Sequence, residues 1–97
     1  MGADLKIKIH SISGHCPVYS EGDEFVIKEG YILQASKDTR ICMHSLSSII
    51  PYYVALSHGI SPVQLGLAKE GEAAYVQCLD PRCITGGGTV ILKVEKF

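Results

Sequence analysis

Two stretches of strict alternation, one near each end of the chain, set the frame into which everything else has to fit. Leu5-Lys6-Ile7-Lys8-Ile9-His10 places Leu5, Ile7 and Ile9 on one side, and Thr89 to Phe97 does the same with Val90, Leu92 and Val94. An apolar period of two marks a strand with one covered face and one wet face. Ile12 breaks the parity of the first stretch, which predicts a bulge or the strand's end near Ser11. Both stretches are long and cleanly patterned, so the first and last strands are expected to be neighbours.

Between them the period changes. Glu24 to Lys28 and Tyr31 to Gln34 read as short strands joined at Glu29-Gly30 in a hairpin. Leu46, Ile49, Ile50, Tyr53 and Val54 fall at i, i+3, i+4, i+7 and i+8, one face of a helix that Gly59 is placed to close. Pro51 interrupts that stripe, and the unbroken apolar spacing predicts one main helix kinked there. Ser61-Pro62-Val63-Gln64 has the form of a capping box with proline at the first helical position, predicting a second short helix that ends by Gly71. Ala73 to Leu79 reads as a further strand. Strands, then helices, then strands indicate α+β architecture: a small antiparallel sheet, or one curled towards a barrel, with one main and one short helix packed on it.

The 97 residues suffice for a single domain, residues 1–97, with no room for a second core. Nine basic residues against ten acidic ones leave a net charge of −1, which gives no electrostatic reason to expect nucleic acid or an anionic membrane as partner. Ile49 to Leu56, the longest apolar-rich stretch, is too short to span a bilayer. Met1-Gly2-Ala3-Asp4 leads straight into a strand pattern without a secretory signal, so a cytoplasmic protein with reduced thiols is expected.

Four cysteines therefore carry the chemistry. They are Cys16 in Gly14-His15-Cys16-Pro17, Cys42 in Cys42-Met43-His44, and the pair Cys78 and Cys83 around Leu79-Asp80-Pro81-Arg82. Thiolates and imidazoles are the soft ligands of zinc and iron, and a structural zinc needs four of them. Cys16, Cys42 and Cys78 each fall where a loop meets a regular element. If those junctions share one end of the sheet, three thiols converge and His44 or Cys83 can supply the fourth ligand; an iron–sulfur cluster would need all four cysteines. A second reading makes Cys42 a reactive thiol near a helix N-terminus, with His44 or His15 as base. The third is that the cysteines are buried and inert, since free cysteine commonly fills small gaps in a core. Function would then rest with a non-enzymatic binding or assembly module, an edge strand or the helix surface around Tyr52 mediating homo-oligomer formation. Asp80-Pro81 reads as a turn and Gly86-Gly87-Gly88 as a flexible link into the last strand, without the Lys-Ser/Thr of a phosphate-binding loop.

Gly14-His15-Cys16-Pro17-Val18 with Glu21-Gly22-Asp23-Glu24-Phe25, Cys42-Met43-His44, Pro51-Tyr52 with Ala55-Leu56, Gly59, and Cys78-Leu79-Asp80-Pro81 followed by Thr85 to Val90 form a recognisable series. It resembles a family of small uncharacterised prokaryotic proteins, frequent in anaerobes and archaea, over nearly the whole chain. The resemblance implies that Cys16, Cys42 and Cys78 occupy the family's recurrent cysteine positions, whereas Cys83 matches none. It leaves three thiols, with His44, His15, water or a small molecule as fourth ligand. No established activity comes with the family, so the resemblance implies no mechanism.

Overall fold

The computed structural model describes residues 2–97. Its elements follow in the order β1 (Leu5–Gly14), β2 (Glu24–Lys28), β3 (Ile32–Gln34), α1 (Met43–Ile49), α2 (Tyr53–Ser57), β4 (Ala74–Gln77), α3 (Arg82–Thr85) and β5 (Gly88–Lys96). The strands form one five-stranded antiparallel sheet in the order β3-β2-β1-β5-β4. The α+β expectation holds, and β1 and β5 are neighbours at its centre. The sheet does not close into a barrel: β3 and β4 remain as separate edges.

The β1–β5 ladder runs from Leu5↔Lys96 to Gly14↔Gly88, with a register shift between Ile9 and Ser11. His10 is the extra residue of that bulge. It resets the parity, so Ile12 rejoins the covered side opposite the buried Val90. The strand does not end near Ser11 but runs on to Gly14. The Glu21 carboxylate accepts the Ile12 N–H at 3.0 Å, and the Ile9 N–H donates to the Asp23 carbonyl at 2.8 Å, which docks the 20–23 turn onto the bulged region.

One face of the sheet buries Leu5, Ile7, Ile9, Phe25, Ile27, Ala74, Val76, Val90, Leu92 and Val94 beneath Ile49 of α1 and Leu56 of α2. The opposite face carries Lys6, Lys8, Tyr75, Lys93 and Glu95, and on it the His10 ring meets the Tyr75 ring edge-on at 5.2 Å. The β2–β3 hairpin turns through Glu29 and Gly30, with φ of 56° and 82°, the pair of positive values a type I′ turn requires. Glutamate pays a steric penalty there that glycine does not, and Asp4 compensates by accepting the Glu29 N–H at 2.7 Å. That bond, and then the Lys28 ammonium at 2.9 Å, hold the Asp4 carboxyl below its usual range.

The helical layer departs from the sequence reading. Pro51 breaks the expected main helix instead of kinking it: α1 stops at Ile49, the Tyr52 N–H turns back to the Ile49 carbonyl at 2.9 Å, and α2 starts at Tyr53. Proline has no N–H to continue the ladder, so although Ile50 keeps helical backbone (φ −51°, ψ −42°) and bonds the Leu46 carbonyl at 3.0 Å, the helix cannot propagate beyond it. The apolar stripe is consequently only half covered, with Ile50 and Val54 exposed. The second predicted helix reduces to one turn, closed by Leu65 N–H to Ser61 carbonyl at 3.2 Å and halted where Gly66 takes φ 77°. α3, a single turn after Asp80-Pro81, has no counterpart in the sequence pattern.

Candidate functional site

Cys16 lies two residues beyond the end of β1, Cys78 one residue beyond β4, and Cys42 immediately before α1. Because β1, β5 and β4 are consecutive in the sheet, the first two junctions share one end of it, and the start of α1 lines the same cavity as both. Cys16, Cys42, Cys78 and His44 all line a single cavity of about 260 Å³, together with Tyr19 and Asp80. All four cysteines are free thiols.

Two of the cavity's sulfurs are anchored by backbone. The Tyr19 N–H donates to Cys16 Sγ at 3.4 Å and the Val90 N–H to Cys78 Sγ at 3.2 Å. Such donors compensate the negative charge a metal-bound sulfur carries, and they fix where it sits. Cys78 is buried, and Cys16 and Cys42 are half-buried against the core.

Cys42 is held differently. It is the N-cap of α1, with extended backbone (φ −80°, ψ 131°) and no hydrogen bond from its side chain to the helix. Its peptide is instead gripped by a closed ring of bonds. The Cys42 N–H donates to Tyr19 Oη at 2.8 Å, Tyr19 Oη and Ser45 Oγ are 2.7 Å apart, and Ser45 Oγ donates to the Cys42 carbonyl at 2.8 Å. With both other donors assigned, the Tyr19 hydroxyl must give its proton to Ser45. Tyr19 therefore ties the Cys16 segment, through its own N–H, to the Cys42 segment, through its hydroxyl. Sequence reading missed it, because a lone tyrosine in a turn-rich loop carries no periodic signal.

Burial pushes the Tyr19 phenol above its ordinary 10.0, against the Ser45 and Cys42 bonds that pull it down. The fold thus favours the protonated ring, a contribution present in full below pH 10.0 and lost as pH rises through the raised value. Tyr19→Phe leaves the Cys42 N–H without its acceptor and is expected to cost about 1–3 kcal/mol at neutral pH. Urea unfolding should show the gap between wild type and variant narrowing above pH 10.0, because only the wild type can ionise there. A gap that stays constant would mean Tyr19 does not titrate as this ring requires.

His44, in the first turn of α1, is exposed at the cavity while Cys42 lines its wall. Two positions apart on a regular helix they would diverge, but Cys42 lies just outside the helix, and this lets both face one space. α1 is only seven residues long, so the dipole assistance expected at Cys42 has a weak source. Asp80 is more than a turn residue: its carboxylate accepts the Thr85 hydroxyl and lines the cavity. The glycines of Gly86-Gly87-Gly88, read from sequence as a link, each have a specific place in the fold. Gly86 caps α3 in left-handed backbone (φ 76°), Gly87 lies against the Asp80 carboxylate, and Gly88 is packed on the His15–Cys16 backbone.

Cys83 is exposed on α3 and does not line the cavity, and neither does His15, whose N–H bonds the Gly87 carbonyl at 3.2 Å. The cavity thus holds three thiols, not four, and the four-cysteine cluster considered from sequence has no common space. Among the described residues no group of three or more His, Cys, Asp and Glu side chains stands in a ready-made arrangement for holding a metal ion. No described helix is long and apolar enough to cross a membrane.

Fold and site together define a small open-sheet α+β domain with a three-thiol cavity at one end of the sheet. No protein-family model, no curated protein and no solved structure matches the chain.

Proposed function

We propose that the cavity is a soft-metal site, in which Cys16, Cys42 and Cys78 supply thiolate ligands and His44 the fourth, with zinc or iron as the metal. The observation that carries this reading is that thiols from three separate segments line the same small cavity. Cys16 and Cys78 are the anchored half of the set, each accepting a backbone N–H. Cys42, with no side-chain hydrogen bond, and the exposed His44 are the half free to rotate inward. Metal binding on this reading orders the side chains it needs, and its free energy becomes folding free energy.

A second reading follows from the same packing. Cys78 belongs to the buried core and Cys16 and Cys42 pack against it, which is also how inert cysteines sit in a binding or assembly module.

The test is metal analysis of protein purified without oxygen, with a free-thiol count on the same sample. The metal reading expects close to one zinc or iron per chain, and only Cys83 reacting rapidly until a chelator is added. Four unprotected thiols, no metal, and no cobalt(II) charge-transfer absorption on titration would overturn it in favour of the module.

A further inference from the structure

The two edges of the sheet are treated differently. On β4 the outer edge is occupied: the Tyr75 N–H donates to the Leu67 carbonyl at 2.8 Å, and Ser48 Oγ donates to the Gln77 carbonyl at 2.6 Å. On β3 all three residues, Ile32, Leu33 and Gln34, are exposed. Among the described residues no loop backbone bonds them outside the ladder with β2. An open edge with apolar side chains is a template for another strand, and chains that stay monomeric usually guard such edges with charge, proline or a bulge. β3 has none of these, and its one protection is its length of only three residues.

Beside that edge lies an apolar groove formed by Tyr31, Leu33, Leu46, Ile49, Ile50 and Tyr53, without a charged residue in its lining. Tyr31, Leu33 and Ile50 are 56%, 44% and 52% exposed. Large apolar side chains each carry roughly 150–200 Å² of surface, so with the half-buried Leu46 and Tyr53 the groove presents on the order of 400 Å². Doubled across a two-fold axis, and with the β3 backbone and polar flanks added, the contact reaches the roughly 1,000–1,200 Å² at which specific dimers begin.

Charge selects the occupant. Antiparallel pairing of β3 with a second copy, centred on Leu33, brings the turn carrying Glu29 beside the segment carrying Lys37 of the other copy, and the two-fold axis repeats the pair. Both residues are exposed. We infer that this chain forms a two-fold dimer through antiparallel β3–β3 pairing, which extends the sheet to ten strands across two copies and covers the groove of each. The inference is independent of the metal reading, since the β3 edge and the thiol cavity share no lining residue.

Sedimentation equilibrium from micromolar to near-millimolar protein tests it. The 10.5 kDa chain should reach twice that mass, with a dissociation constant on the order of 10 µM. Leu33→Lys sets like charges opposite each other at the axis and should weaken the dimer at least about tenfold. Glu29→Lys should weaken it about two- to fivefold, and adding Lys37→Glu should restore it. The reversal pair keeps the test informative if Leu33→Lys fails to fold. A monomer at every concentration overturns the inference, including the outcome in which the edge instead serves a foreign peptide. A dimer that ignores all of these substitutions overturns it too.

Discussion

Gly88→Ala is expected to destabilise the protein by about 3 kcal/mol, read as a lowered urea midpoint with unchanged slope. A Cβ on Gly88 would stand 2.6 Å from both the carbonyl carbon and oxygen of His15 and 2.9 Å from the Cys16 nitrogen. All three are backbone atoms, so no side chain can swing away and the 15–16 segment itself must move. That motion strains the Gly14↔Gly88 pair at the end of the central ladder and the His15 N–H to Gly87 carbonyl bond. It also displaces Cys16, so thiol reactivity at Cys16 should change even in the fraction that stays folded. Gly22→Ala is the control. Nothing lies within 4 Å of its Cβ, and only the backbone penalty at φ 93° remains, about 1 kcal/mol. Equal losses at the two positions would show that the close approach at Gly88 is not what makes glycine necessary there.

That contrast marks where the sequence could be read and where it could not. The sheet is legible because Leu5, Ile7, Ile9 and Val90, Leu92, Val94 repeat at the period of a pleated strand, and only one register buries both sets. The bulge is legible because Ile12 falls on the wrong parity for a straight strand. The helical layer is not, because Leu46, Ile49, Ile50, Tyr53 and Val54 keep a helical spacing that the backbone abandons at Pro51. Half the stripe then serves the core, and Ile50 is left at the exposed groove. Apolar periodicity reports which side chains avoid water, not whether a core of the same molecule covers them. The cysteine positions at loop junctions are visible in the sequence, but their meeting depends on β1, β5 and β4 being adjacent, a long-range fact that no local spacing encodes. For the same reason Cys83, five residues from Cys78, reads as a partner, whereas one turn of α3 carries it out to solvent. Tyr19 and Ser45 escape notice because each acts through a bond to a residue distant in sequence, and Asp80 reads only as a turn residue because the cavity it lines is formed only by folding.

Cys42→Ser is expected to lower zinc affinity at least about 100-fold, since losing a ligand should exceed the 10- to 100-fold typical of losing a ligand's supporting partner. The same substitution should leave the metal-free protein as stable as before, or more stable by about 0.5–1 kcal/mol, because serine is a preferred N-cap residue. Cys42 now occupies the N-cap of α1 without a side-chain bond to the helix, and a serine hydroxyl can take up the free N–H groups of its first turn. The two effects have opposite sign, and this is what separates the readings. An inert core cysteine predicts only the stability change. A ligand predicts both, with the order of stability reversing when zinc is added: variant at or above wild type without metal, and below it with metal. Competition titration against a chromophoric chelator gives the affinity, and urea unfolding with and without zinc gives the crossing. Cys83→Ser, on the exposed face of α3, should move neither curve. If Cys42→Ser and wild type respond identically to zinc, Cys42 is not a ligand and the cavity's thiols do not act as a set.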